Sequence, residues 1–355
     1  MKYTNVTLKI ITASKLGVLL KSESIMGLKT ISQKDLQNPT FSNLSVIVRK
    51  EVKDLVSSVR FIILAILIIL TFLATMYASL SNLKNTLGAN YDSTKSFVYL
   101  KLLTSGDGNL PRFHVFIGFL GPLLGIALGF DAVNSERNNG TLIKMLSQPI
   151  YRDTLLLAKF TSPIIIVATF FLSLFMLSVG VGMLYTGVSI EPSEIIRILV
   201  LIFLTVLYVG FWLSISIMLS IKYNQTSTSA LLAIGIWLFF SVFYPILLQM
   251  CMKFFLPDPN TISQDELIYY NSIIMDLLRF TPNQLYMDAT TILLMPSVRS
   301  LGPLTMEQMT GTLPSNLTTW DSLLIVWPQL SGLIAVTILV FAFAYTLFMR
   351  KEIRN

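Results

Sequence analysis

The sequence predicts an all-α, polytopic membrane protein with six transmembrane helices. Three observations predict it. Of 355 residues, 54% are hydrophobic and only 13% are charged, against roughly 25% charged in an average soluble domain. The mean hydropathy is +0.70. Six apolar stretches are each long enough, at about 1.5 Å of rise per residue, to cross a hydrocarbon core about 30 Å thick. A soluble fold of this length needs more polar surface than the chain supplies. That excludes an ordinary soluble enzyme, a disordered chain and a nucleic-acid binder.

The spans are read at Val59–Leu83, Phe113–Phe130, Phe160–Val188, Ile195–Ile221, Ala230–Leu256 and Trp327–Met349. Six crossings put both termini on one side. With the N-terminus inside, residues 1–60, 131–159, 222–229 and 350–355 hold 18 Lys and Arg, and the other side holds 8. The positive-inside rule then places both termini in the cytoplasm. The net charge of +7 is explained by that bias. The expected location is the plasma membrane, with membrane lipids as partners and no nucleic acid. Residues 1–40 show no secretory signal pattern. Trp320, Trp327 and Tyr185 fall near expected interfaces. The one cysteine, Cys251, allows no intramolecular disulfide and reads as a small buried apolar residue.

Residues 1–58 read as a cytoplasmic segment and 59–355 as the transmembrane domain. Within 43–60, Leu44, Val48, Val52, Leu55 and Val59 recur at helical spacing, with Arg49, Lys50, Lys53 and Asp54 opposite. This predicts an amphipathic helix, about 43–58, lying in the membrane surface and entering the first span without a break. The loop from Lys84 to Phe113 is polar. Residues 257–326 form a larger outer loop with two apolar pieces, Leu267–Phe280 and Gln284–Met295, ended by Pro282 and Pro296. They predict short helices that cap or partly re-enter the outer leaflet. Asn316-Leu317-Thr318 is the glycosylation-type sequon on the outer side.

The span cores carry no Asp, Glu, Lys or Arg, whereas ion-coupled transporters and proton relays usually need such a group. One His and one Cys build neither a Cys/His dyad nor a histidine metal cluster. Asp258, Asp265, Glu266, Asp276, Asp288, Glu307 and Asp321 in or beside the outer loop have no metal-ligand spacing. No catalytic residue, metal site or bound cofactor is expected. Two alternatives remain open on these grounds: an ATP-independent transporter or channel, and a membrane enzyme using the outer loop.

The polar inner loop 131–159 carries the specific signal. Glu136-Arg137 is a charged pair, and Asn138-Asn139-Gly140 breaks the helix. Thr141 caps a new turn bearing Leu142, Met145 and Leu146, and Pro149 stops it before Arg152 and Lys159. The order Glu136-Arg137, Gly140-Thr141-Leu142, Leu146-Ser147-Gln148-Pro149, Arg152 resembles the central motif of type-2 ABC transporter permeases. The resemblance covers about residues 43–355. It implies that loop 131–159 is a coupling element fitting a cytoplasmic ATPase. Glu136, Arg137, Gly140, Thr141, Leu142, Met145, Leu146, Pro149 and Arg152 are then the contact region.

It further implies a dimer, most simply of two identical chains, with two ATPase subunits that hold ATP and Mg, and export of an apolar or amphipathic substrate. No phosphate-binding loop of the form G-x-x-x-x-G-K-[ST] is present, so the ATPase is a separate chain. Leu330-Ser331-Gly332-Leu333 resembles the start of an ABC signature by chance only. Spans two and five usually face the dimer axis in this family. Gly121, Gly125 and Gly129 then either pack helices within one subunit or line the pathway, beside a kink at Pro122. Trp237, Phe240, Phe243 and Tyr244 are candidates for an apolar path in span five.

Overall fold

The computed structural model describes residues 39–87, 97–104, 111–147, 151–255, 264–296 and 317–351. Among them every regular element is helical: α1 Pro39–Val56, α2 Val59–Leu87, α3 Val98–Thr104, α4 Phe113–Gly129, α5 Asn134–Asn138, α6 Thr141–Leu146, α7 Arg152–Thr186, α8 Pro192–Lys222, α9 Thr226–Leu238, a π-turn Phe239–Phe243, α10 Tyr244–Phe255, α11 Gln264–Leu278, α12 Pro282–Leu294 and α13 Thr319–Arg350. Six helical stretches are long and apolar enough to cross a membrane, and they fall on the six expected spans. Residues 47–355 form one compact unit; of the separate unit before it, only 39–46 are described, as the opening turns of α1. Pro149, Asn316 of the sequon, Asp258 and Glu307 lie outside the described residues.

The surface helix does not run into the first span unbroken. It stops at Val56, and two serines make the joint. Ser57 Oγ donates to Lys53 O (2.9 Å) and Ser58 Oγ to Leu55 O (2.6 Å), while Ser58 Oγ accepts from Phe61 N–H at 3.3 Å. Short hydroxyl side chains compete with the helix ladder for backbone partners, and here they end one helix and start the next.

The core is built around α8, which packs on α4, α7, α9, α12 and α13. Of its most apolar window 72% is buried inside the chain, against 11% for the fifth span, α9–α10. The fifth span thus leaves several large apolar side chains open, Leu231, Phe243, Ile246 and Phe254 among them, and Cys251 on it is exposed rather than buried. The α4–α8 contact is made close by glycines. A Cβ on Gly125 would stand 2.6 Å from Val209 O, and one on Gly129 3.0 Å from Ser216 Cβ. Polar side chains of α8 seal the seam. Ser216 Oγ donates to Ile126 O (3.0 Å), and Ser220 Oγ accepts from the N–H groups of Val133 and Asn134. Pro122 cannot donate to the carbonyl of Gly118 four residues back, and Tyr208 Oη donates to that carbonyl instead, at 2.8 Å. A second helix irregularity has a similar origin. The π-turn 239–243 lies just before Pro245, which removes one rung of the ladder.

Two features lie outside the sequence expectation. The first is α3, a buried helix inside the supposedly polar loop. Its first N–H groups, of Tyr99 and Leu100, donate to the buried Glu194 carboxylate at 3.0 and 3.4 Å. The second is that the span helices carry buried charge. The fourth holds Glu194 and Arg197, and the third, starting at Arg152 rather than Phe160, holds Lys159. Arg197 Nη1 and Nη2 donate to Leu293 O (3.2 Å) and Leu317 O (2.9 Å), carbonyls at the C-terminus of α12 and just before α13. Pro282 does not end a piece but opens α12, where its missing N–H costs nothing, and Thr281 Oγ1 caps it by accepting from Gln284 N–H.

Candidate functional site

Within loop 131–159 the chain forms two short helices, α5 and α6, joined at Gly140. Its φ of +66° is left-handed, which glycine adopts without a Cβ penalty. Thr141 is not the cap. It is the first residue of α6, and its Oγ1 donates back to Glu136 O at 3.1 Å.

The side chains of the predicted contact region divide by direction. Leu142 is buried and Met145 half-buried, whereas Thr141, Ile143, Lys144 and Arg152 are exposed. Leu146 contributes backbone to α6. Ile143, 42% exposed, was not singled out from sequence; an apolar residue on the outer face of a loop helix is its only signal.

Glu136 points inward. Its Oε1 lies 2.8 Å from Lys159 Nζ and 3.9 Å from Lys50 Nζ, and Glu51 Oε1 lies 3.6 Å from the same Lys159. Three segments, α1, α5 and α7, thus meet on one lysine. A buried ion pair is specific because an uncompensated partner is costly. Next to it Arg60 Nη2 and Asp131 Oδ2 pair at 2.6 Å, with Arg60 over the Phe130 ring at 4.7 Å. A cavity of about 410 Å³ opens among these groups, walled by Asp54, Arg60, Asp131, Glu136, Met145 and Lys159.

Arg137 turns the other way and donates from Nη1 to Asn224 Oδ1 (2.7 Å), while Asn138 Nδ2 donates to Asn224 O (3.0 Å). Asn224 sits in the turn between spans four and five. The C-terminal Lys351 donates to Ile221 O and Lys222 O of the same region. Burial, and then the charge of Arg137, hold its ammonium below the ordinary lysine range. The loop is therefore tied to span one through Asp131, to span three through Glu136, and to span four and the turn after it through Val133, Asn134, Arg137 and Asn138. Among the described residues no three His, Cys, Asp or Glu are placed to hold a metal ion.

The suggested pathway residues are not gathered in one place. Gly121, Gly125 and Gly129 face α8 of the same chain, which fills the room that each lacks a side chain to occupy. Trp237 is buried against Phe119, ring centroids 4.8 Å apart. Phe240 contacts Phe239 and Tyr244, and Tyr244 Oη donates to Leu277 O of α11 at 2.9 Å. Phe243 alone of the four is strongly exposed, at 54%.

Residues 45–353 match the family profile described as ABC-2 family transporter protein. The chain belongs to the ABC-2 transporter family. This ABC-2 chain is similar to a protein named "Probable ABC transporter permease protein NosY" from Stutzerimonas stutzeri, at 31% identity over 135 residues, 37% of this chain and 47% of that one. The protein of the same name from Pseudomonas aeruginosa is 30% identical over 131 residues, with the same shares. The match thus spans about half the length of these curated relatives. With the family and the six apolar helices in hand, the ABC-2 chain is a multi-pass membrane protein of permease type.

Proposed function

We propose that this chain is the membrane subunit of an ATP-driven exporter. A separate ATPase subunit docks on α5–α6, holds ATP and Mg, and drives the movement of an apolar or amphipathic substrate. Two permease copies and two ATPases make the assembly. Both termini and the docking loop lie in the cytoplasm, and the complex resides in the plasma membrane. The observation that carries this reading is the three-segment junction at Lys159. A push on α5 reaches the third span through Glu136 and the surface helix through Glu51, so the loop cannot move without them.

The test is a tagged pull-down from native membranes in mild detergent, with bound proteins identified by mass spectrometry. The wild type is expected to bring down an ATPase. Ile143→Asp/Lys144→Glu, on the exposed side of α6, is expected to lose it while the chain stays folded. Failure to recover an ATPase under conditions that preserve other ABC complexes would refute the reading.

A further inference from the structure

The hairpin α11–α12 reaches deep into the membrane. The 31 residues of α8 rise about 46 Å, the thickness of a whole bilayer with its headgroups. Its midpoint is therefore near the bilayer mid-plane, and Tyr208 stands there. Asn283, at the start of α12, accepts from Tyr208 Oη at 3.2 Å. One turn on, Tyr286 Oη and Thr205 Oγ1 are 3.2 Å apart, and at the far end Leu293 O meets Arg197. So α12 runs antiparallel to α8, with its first turn at mid-membrane. The fifth span agrees, since Tyr244, a little past the middle of α9–α10, donates to Leu277 O near the hairpin tip.

The tip is charged and open. Arg279 Nη1 lies 2.7 Å from Asp276 Oδ1, and Arg279 Nε lies 3.1 Å from Asp288 Oδ2; Gln284 Nε2 also donates to Asp288 at 2.7 Å. The Asp276 side chain is 71% exposed, and Phe280 in the turn is 81% exposed. Residues 279–281 are also non-helical. Ionised side chains at this depth face water or protein rather than lipid, and so does irregular backbone. These are two separate requirements, and both fall on the same face.

We infer that the hairpin tip forms one wall of a water-filled vestibule at mid-membrane depth, which admits polar groups and favours cationic ones. The vestibule opens on the side away from α5–α6, along the exposed face of α10 and α11. The two carboxylates against one guanidinium leave an excess negative charge, which attracts a cation and repels an anion. The substrate class follows: an amphipathic molecule with a neutral polar or cationic group. That assignment of substrate rests on the export reading; the presence of water does not.

The test uses thiol labelling of the full chain in intact cells, with Cys251→Ser as background. Phe280→Cys and Tyr269→Cys, the latter nearer the mouth, are compared with Leu339→Cys, an exposed apolar position on α13. Methanethiosulfonates react with the thiolate, which forms in water and not in hydrocarbon. Both hairpin variants are expected to label with an impermeant reagent at least about tenfold faster than Leu339→Cys. Added to intact cells, with each rate divided by that reagent's rate with a free thiol in solution, the trimethylammonium reagent is expected to outpace the sulfonate at position 280, and Asp276→Asn to remove that preference. Labelling at 280 no faster than at 339 overturns the vestibule, whether lipid or a second copy covers the face. Faster sulfonate labelling overturns the cation preference. The readout needs no ATPase, so loss of the partner prediction and loss of this one are distinguishable.

Discussion

Lys159 Nζ stands 2.8 Å from Glu136 Oε1, and only 3% of the lysine side chain is exposed. Among the ion pairs of the described residues it has the most deeply buried cation. Breaking a buried pair from one side costs about 3–5 kcal/mol, because the other charge is left stranded. Lys159→Met is therefore expected to lower thermal stability in detergent markedly, and Glu136→Gln/Lys159→Met to recover much of the loss. A double variant no more stable than the single one would show that the pair is not what the junction depends on.

Gly125 is the tightest point between α4 and α8. A methyl group there meets Val209 O at 2.6 Å, and backbone cannot swing aside as a side chain can. Gly125→Ala is expected to destabilise by about 1–3 kcal/mol through overpacking. Gly180→Ala, with nothing within 4 Å, serves as the control and is expected to leave the melting temperature unchanged or raise it.

The Tyr208–Gly118 bond replaces the one that Pro122 removes. Tyr208→Phe leaves that carbonyl unpaired in the core, at a cost of about 1–3 kcal/mol. In a Pro122→Ala background the restored N–H takes the carbonyl, so the same change is expected to cost less. A double-mutant cycle by thermal unfolding measures the difference, and strict additivity would disprove the compensation.

Lys351 offers a pH test. Burial and Arg137 depress its pKa, so more of it is neutral amine at a given mildly alkaline pH than an ordinary lysine. Its acylation by an amine-reactive reagent is expected to slow when Arg137 is changed to Gln, because removing the neighbouring charge raises the pKa. Peptide mass spectrometry after brief labelling at fixed pH reads the effect. Unchanged or faster labelling would contradict the electrostatic contact between loop and C-terminus.

The six spans were legible because length and hydropathy are local properties, and a bilayer reads them one segment at a time. The loop was legible as a motif, in the order Glu136-Arg137, Gly140-Thr141-Leu142. The direction of its side chains was not. Thr141 looked like a cap because threonine often is one, yet Gly140 turns the chain so that Thr141 bonds backward. Lys159 read as a flanking charge, since only folding brings Glu51 and Glu136 around it. The π-turn 239–243 does have a local signal in Pro245, whose missing N–H interrupts the ladder.

The outer loop shows the same division. Its two apolar pieces were readable as short helices from composition and proline spacing. That Arg279 would be paired on both sides, level with the middle of α8, was not, because that level is set by Tyr208, Thr205 and Arg197, more than 70 residues away. The sequence by itself determined a six-span, all-helical membrane chain with a permease-type motif between its second and third spans, because those properties are written in runs of neighbouring residues. The tertiary structure alone decided which glycines meet which backbone, which charges are buried in pairs, and how far the hairpin descends. Such contacts join distant segments whose partners no local pattern names.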